Sequence, residues 1–159
     1  MKTNAARYLD SLGIHYELRE YALDTEDFSA LLVAEKIGFP PEQVFKTLLC
    51  VTSDREHVFA AVPGNAELDF KKLAHAAGAR KVEMVAVKEV QPLTGYIRGG
   101  VTVFGAKKDF PVYADETLEL FDVISVSGGT RGTQIFLSPA DYIRASQAVL
   151  ADLTKEHVS

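Results

Sequence analysis

The chain has 159 residues, 47% hydrophobic and 25% charged, with 17 Lys and Arg against 22 Asp and Glu, a net charge of −5. That balance fits one globular domain over 1–159 with a substantial core. It argues against tight non-specific nucleic-acid binding, which relies on phosphate neutralisation by Lys and Arg. No apolar run approaches the roughly 20 residues of a membrane span, so no membrane partner is expected.

From Met1 to Arg7 the chain lacks the apolar stretch of a signal peptide. Its single cysteine, Cys50, suits a reducing, cytoplasmic setting. Asn4 to Leu12 is predicted helical, with Ala5, Leu9 and Leu12 on one side and Gly13 as the stop. Ile14, Tyr16 and Leu18 alternate with polar residues and predict a half-buried strand ending near Tyr21. Ser29 to Ile37 reads as a second helix closed by Gly38, and Pro40-Pro41 forces a turn.

Val44 to Val51 and His57 to Val62 read as strands joined by the turn formers Ser53-Asp54, in hairpin distance of each other. Asp69 caps a helix running to Ala77 and stopped by Gly78. Lys81 to Ala86 is a short strand with Val82, Met84 and Ala86 on one face, and Val87 to Leu93 a brief helix limited by Pro92. Gly95 to Gly105 is loop-rich. Pro111 to Ala114 and Asp122 to Val126 are predicted strands around a helical turn at Glu116 to Leu120. After the turn 127–132 comes a strand from Thr133 to Leu137. A final helix, capped by Ser138 and started by Pro139, is expected to carry Ile143, Leu150 and Leu153. Strands outnumber long helices, which favours a mixed α/β (α+β) fold, a partly antiparallel sheet or barrel with surrounding helices, over a doubly wound sheet.

The residue that stands out is Lys46. In Val44-Phe45-Lys46-Thr47-Leu48-Leu49-Cys50-Val51 both faces at period two are largely apolar, the pattern of a strand covered on both sides. An ammonium there loses hydration at roughly several kcal/mol unless an anion, a dipole or a wet cavity compensates. Either Lys46 snorkels from an edge strand or pairs with a structural carboxylate, or it serves a functional cavity.

Other chemistry is sparse. His15, His57, His75 and His157 show no metal-ligand spacing with Cys50 or a carboxylate cluster, so neither metal nor cofactor is expected. Cys50 reads as core. Serine-hydrolase elbows, phosphate-binding P-loops and dinucleotide fingerprints are missing. The basic groups Lys71, Lys72, His75, Arg80 and Lys81, and the pair Lys107-Lys108, read as solvated faces. Two Gly-rich segments remain, 95–100 and Ser127-Gly128-Gly129. Each is either a tight turn or a loop whose backbone N–H groups approach a ligand.

In order along the chain, Gln43 to Leu49, Leu68 to Ala74, Gly78 to Met84, Thr94-Gly95-Tyr96, Gly99-Gly100-Val101-Thr102 with Gly105, and Val126 to Gly129 with Arg131-Gly132 resemble the YbaK family. These are free-standing aminoacyl-tRNA deacylases related to the editing domain inserted in bacterial prolyl-tRNA synthetases. The resemblance spans nearly the whole chain and implies a compact mixed barrel. It implies release of amino acids mischarged on tRNA, notably cysteine on proline tRNA, with an aminoacylated tRNA acceptor end as partner and prolyl-tRNA synthetase as a transient one.

The family's essential lysine corresponds to Lys46, and Lys46 followed by Thr47 is similar to the YbaK and synthetase-inserted branches rather than the alanine-specific one. Its pocket tyrosine corresponds to Tyr21 and its glycine loops to Gly99-Gly100 and Ser127-Gly128-Gly129, which are expected to converge on the lysine. Two departures bear on specificity. Val103 stands where such sequences usually carry proline, and Gln134 where they tend to carry aspartate. For cysteine, the substrate's own thiol can attack its ester; for other amino acids a positioned water must. Besides trans-editing, the residues leave open a non-catalytic nucleotide- or aminoacyl-RNA-binding module and a deacylase of a different acyl ester.

Overall fold

A computed structural model describes residues 2–156; His157 lies outside them. Among the described residues, eight strands form two sheets flanked by five α-helices. The smaller sheet runs β1 (Glu17–Glu20), β7 (Thr133–Leu137), β6 (Ile124–Ser127), all antiparallel. The larger runs β4 (Val82–Met84), β2 (Phe45–Thr52), β3 (His57–Pro63), β5 (Val112–Asp115), β8 (Val149–Ala151). A parallel bridge from Val44 to Ser125 ties the two sheets together at the start of β2.

The helix boundaries follow local chemistry. Helix α1 (Asn4–Ser11) buries Ala5, Ala6 and Leu9, with the Thr3 hydroxyl accepting from Ala6 N–H. Ser29 caps α2 (Ala30–Ile37) and Asp69 caps α3 (Phe70–Ala77), each accepting from the first turn. Gly38 and Gly78 end them in the left-handed conformation. Helix α4 (Val87–Thr94) contains Pro92 within its last turns.

The hairpin of β2 and β3 is the centre of the molecule, with Lys46 opposite Val62 and Thr47 opposite Ala61. Ala60, Ala61 and Val62 have no exposed surface, so β3 is covered on both faces. One core cluster joins Leu9, Phe45, Ala61, Phe104 and Ile135 across the sheets; another joins Cys50, Val62, Leu68, Leu73 and Leu153 under α3. Cys50 is fully buried, and burial pushes its thiol up to about 12, as suits a core residue. Among the described residues no helix is long and apolar enough to cross a membrane.

Two expectations need correction. The last helix, α5 (Pro139–Ser146), stops before Leu150 and Leu153. Gln147 turns left-handed (φ 55°) and its N–H closes the helix on the Ile143 carbonyl. Leu150 then lies in β8, parallel to β5, and Leu153 donates its N–H to the buried Asp115 carboxylate at 2.9 Å. An open edge of β5 outcompetes another helical turn. Second, β4 spans only Val82–Met84, and Ala86, expected on the same strand face, is instead the residue before α4.

Candidate active site

The early end of β4 makes the site. It pairs with β2 only from Cys50 to Thr52, and Val85 N–H adds a last bond to the Leu49 carbonyl at 3.1 Å. In a strand, amide groups alternate sides, so the odd-numbered residues of β2 face the β4 side. With β4 gone, the N–H and C=O of Thr47 face open space. That space is a cavity of about 460 Å³, of a size that suits a small organic ligand. Its walls are mostly apolar, from Val33, Val44, Leu48, Leu49, Val85, Val90 and Val101. Met84 and Val87 form an exposed apolar rim.

Lys46, half-buried, lines this cavity. Among the described residues it makes no ion pair, and Glu67, which acts on it from a distance, is itself paired with Lys155 at 3.3 Å. Burial pushes the Lys46 amine below the ordinary lysine value, with Glu67 opposing weakly. A structural ion pair is therefore not what holds Lys46 among the described residues.

Thr47, Gly99, Ser127 and Gln134 line the same cavity. The Ser125 hydroxyl donates to Gln134 Oε1 at 2.7 Å, leaving the Gln134 amide N–H₂ without a partner among the described residues. Ser127 Oγ accepts from Gly129 N–H at 3.2 Å, so its own hydrogen is available. Gly99 N–H makes no backbone bond among the described residues. The cavity is therefore lined by an ammonium, the Arg98 guanidinium, the N–H groups of Thr47 and Gly99, the Gln134 amide and the hydroxyl-bearing Ser29, Thr47 and Ser127, with no carboxylate, imidazole or thiol in its lining.

The other expected site residues lie elsewhere. Tyr21 sits behind the wall, packed on the cluster of Val33, Ala34 and Val44, its N–H bonded to Gly132 C=O at 3.0 Å. Gly100, Gly128 and Gly129 do not line the cavity. Their N–H groups are already committed, to Ile97 C=O, Thr133 C=O and Ser127 Oγ. They are glycine for close packing: a Cβ on Gly128 would meet Thr133, and one on Gly129 the Tyr96 ring. Val103 faces a second, smaller cavity beside Tyr8, Phe59 and Phe110.

Two residues not singled out as site residues also reach this cavity, Phe28 and Arg98, the latter within the Gly-rich segment 95–100. Arg98 and Arg131 both stand over the Phe28 ring, their guanidinium carbons 5.7 and 4.0 Å from its centroid. Arg98 and Arg131 fall within motifs quoted above, but their meeting on Phe28 is not legible in sequence, since the three residues come from separate loops. Among the described residues, no group of three or more His, Cys, Asp or Glu is placed to hold a metal ion.

A mixed α/β domain with a half-buried lysine and several hydrogen-bond donors in an apolar cavity has the makings of a small-ligand site. Comparison with known proteins narrows that class. Residues 28–145 match the family model of the aminoacyl-tRNA editing domain. EbsC of Enterococcus faecalis, provisionally named a Cys-tRNA(Pro)/Cys-tRNA(Cys) deacylase, is 42% identical over 96% of this chain and 93% of its own. The multifunctional Ser/Thr-tRNA deacylase ProXp-y of Escherichia coli is 28% identical over 77% of this chain and 76% of its own. A crystal structure described as that of a candidate trans-editing enzyme for prolyl tRNA synthetase superposes with a TM-score of 0.87 at 26% identity, covering 98% of this chain and 99% of that one. The chain belongs to the aminoacyl-tRNA editing family, the YbaK family of trans-editing deacylases.

Proposed function

We propose that this protein, acting as a single editing domain over 1–159, releases a mischarged small amino acid from tRNA, with cysteine on proline tRNA as the leading substrate. The observation that carries the reading is Lys46, an unpaired and half-buried ammonium in a cavity of aminoacyl-adenosine scale. The name of the 42%-identical relative supports cysteine and proline tRNA.

An aminoacyl ester is already activated, so a fixed carbonyl and an electrostatic partner for the developing oxyanion suffice. Lys46 Nζ, with the N–H groups of Thr47 and Gly99, supplies that partner. Attack on the carbonyl carbon gives a tetrahedral oxyanion; its collapse breaks the ester C–O bond and the ribose oxygen takes the proton. The nucleophile is the cysteine thiol, which ends as a thioester within the released amino acid, or a water, which ends in its carboxylate. The cavity's lack of a basic carboxylate or imidazole in its lining favours the thiol, which needs no protein base. Lys46 is the catalytic residue of this reading, Thr47, Gly99, Ser127 and Gln134 bind substrate, and Tyr21, Gly100, Gly128 and Gly129 support the walls and loops.

The acidic net charge supports borrowed tRNA affinity, and a transient complex with prolyl-tRNA synthetase in the cytoplasm fits it. Incubating purified protein with Cys-, Ala- and Ser-charged proline tRNA is the test. Cysteine should be released fastest. Tight binding without turnover would make the protein a binding module, and indifference to all three would redirect it to another acyl ester.

A further inference from the structure

We propose that Phe28, Arg98 and Arg131 form a clamp for a backbone phosphodiester of the RNA 3′ end, at the mouth of the cavity that holds the aminoacyl group; this rests on the aminoacyl-RNA reading above. Both guanidiniums stand over one ring, and the closer one, Arg131, is held by a bond from its Nε–H to the Arg98 carbonyl at 2.9 Å. Neither terminal nitrogen of Arg131 has a partner among the described residues, so both remain for the two-point contact by which a guanidinium holds a phosphate. Arg98 is exposed and makes no side-chain hydrogen bond among the described residues.

Two cations share the Phe28 ring, which gathers positive charge at one point of an acidic protein. Among the described residues neither arginine has an ion-pair partner. The nearest acid in sequence to Phe28, Asp27, uses its carboxylate to accept from Ser29 N–H at 2.8 Å. Both guanidiniums can therefore pair with an anion without breaking an internal ion pair.

The backbone is shaped around the pair. Gly99 holds φ +90°, and a Cβ there would sit 2.7 Å from Phe28 Cδ2 and 2.9 Å from Arg131 Nε. Gly100 lies against the backbone of Thr130 and Arg131, where a Cβ would be 3.1 Å away, locking the two loops together. Phe28, Arg98 and Gly99 also line the Lys46 cavity, so an anion on the clamp is joined directly to whatever occupies that cavity. A phosphodiester one nucleotide from an esterified terminal ribose fits that arrangement.

The test compares Arg98→Gln and Arg131→Gln on two substrates, full-length charged tRNA and an aminoacyl-adenosine that carries no phosphate. On tRNA, KM should rise roughly ten-fold or more with kcat within about two-fold, as for loss of a charge-assisted hydrogen bond. The log–log salt dependence of tRNA binding should flatten by about 0.7 for each phosphate no longer neutralised. On aminoacyl-adenosine Arg131→Gln, whose side chain does not line the cavity, should match the unaltered protein, and Arg98→Gln should lose less than it does on tRNA. Equal losses on the two substrates, or no loss on tRNA, would overturn the clamp. Should Arg131→Gln fail to fold, Arg98→Gln decides, because its side chain holds nothing internal. Binding of an uncharged single-stranded RNA ending in CCA, read by fluorescence anisotropy, tests the clamp even if no ester is turned over. The double variant must weaken it, and equal binding would refute the clamp independently of the deacylase reading.

Discussion

Replacing Lys46 tests the centre of the site, and its effects on folding and on activity separate cleanly. Lys46→Ala removes three methylenes beyond Cβ. At about 0.8 kcal/mol per fully buried CH₂, and with the side chain half-buried, packing loses ~1 kcal/mol. Against that, a desolvated ammonium with no ion pair disappears. Lys46→Met keeps the packing and removes only the charge, so it should be as stable as the parent or more so at pH 7. The sign follows from the lowered folded-state value. At pH below it, the folded state must hold the charged amine in a poor environment and is destabilised relative to the unfolded chain. As pH rises through it towards the ordinary 10.5, that cost vanishes. The stability advantage of Lys46→Met should therefore shrink across that window, as read by denaturant titration at stepped pH. Deacylation should fall by roughly 10² to 10³ in kcat for both variants, the scale of losing one oxyanion partner. Near-normal turnover by folded Lys46→Met protein would refute the assignment. So would a destabilisation beyond about 2 kcal/mol at pH 7, which would mean a structural ion pair.

Two further outcomes follow from single side chains. Gln134 presents a neutral amide to the cavity, which cannot form a charge-assisted pair with the substrate's α-ammonium. The unaltered protein should accept a broader set of small amino acids than cysteine alone, and Gln134→Asp should narrow it by roughly five- to ten-fold across a panel of mischarged tRNAs; an unchanged profile would retire the idea. The Tyr142 hydroxyl is buried with no protein partner among the described residues, its ring packed edge-on against Phe104 at 5.5 Å. Tyr142→Phe should raise stability by ~1 kcal/mol in a thermal or denaturant melt; a loss of that size would show that the hydroxyl is satisfied.

Much of this molecule follows from short-range sequence chemistry. Ser29, Asp69 and Ser138 cap their helices, Gly38 and Gly78 stop theirs, and the β2–β3 hairpin closes where Ser53-Asp54 predicts a turn. These features are legible because each is decided within a few residues by backbone dihedrals and local hydrogen bonds. Lys46 is legible for a related reason: a charge inside a two-sided apolar strand violates the pattern that surrounds it, whatever the strand's neighbours.

The rest depends on which distant segments meet. Gln147 carries no signal strong enough to end a helix; the free edge of β5 recruits 149–151 as a strand and decides it. The glycine loops look like ligand cradles in sequence, yet Gly100, Gly128 and Gly129 lie outside the cavity lining and use their N–H groups on their own turns. Only the fold shows that β4 stops short of Thr47 and opens a strand edge to the cavity. Likewise, only the fold brings Phe28, Arg98 and Arg131 to one point. Local propensity sets where an element begins and ends, whereas an open strand edge or a shared ring face exists only once separate elements have packed.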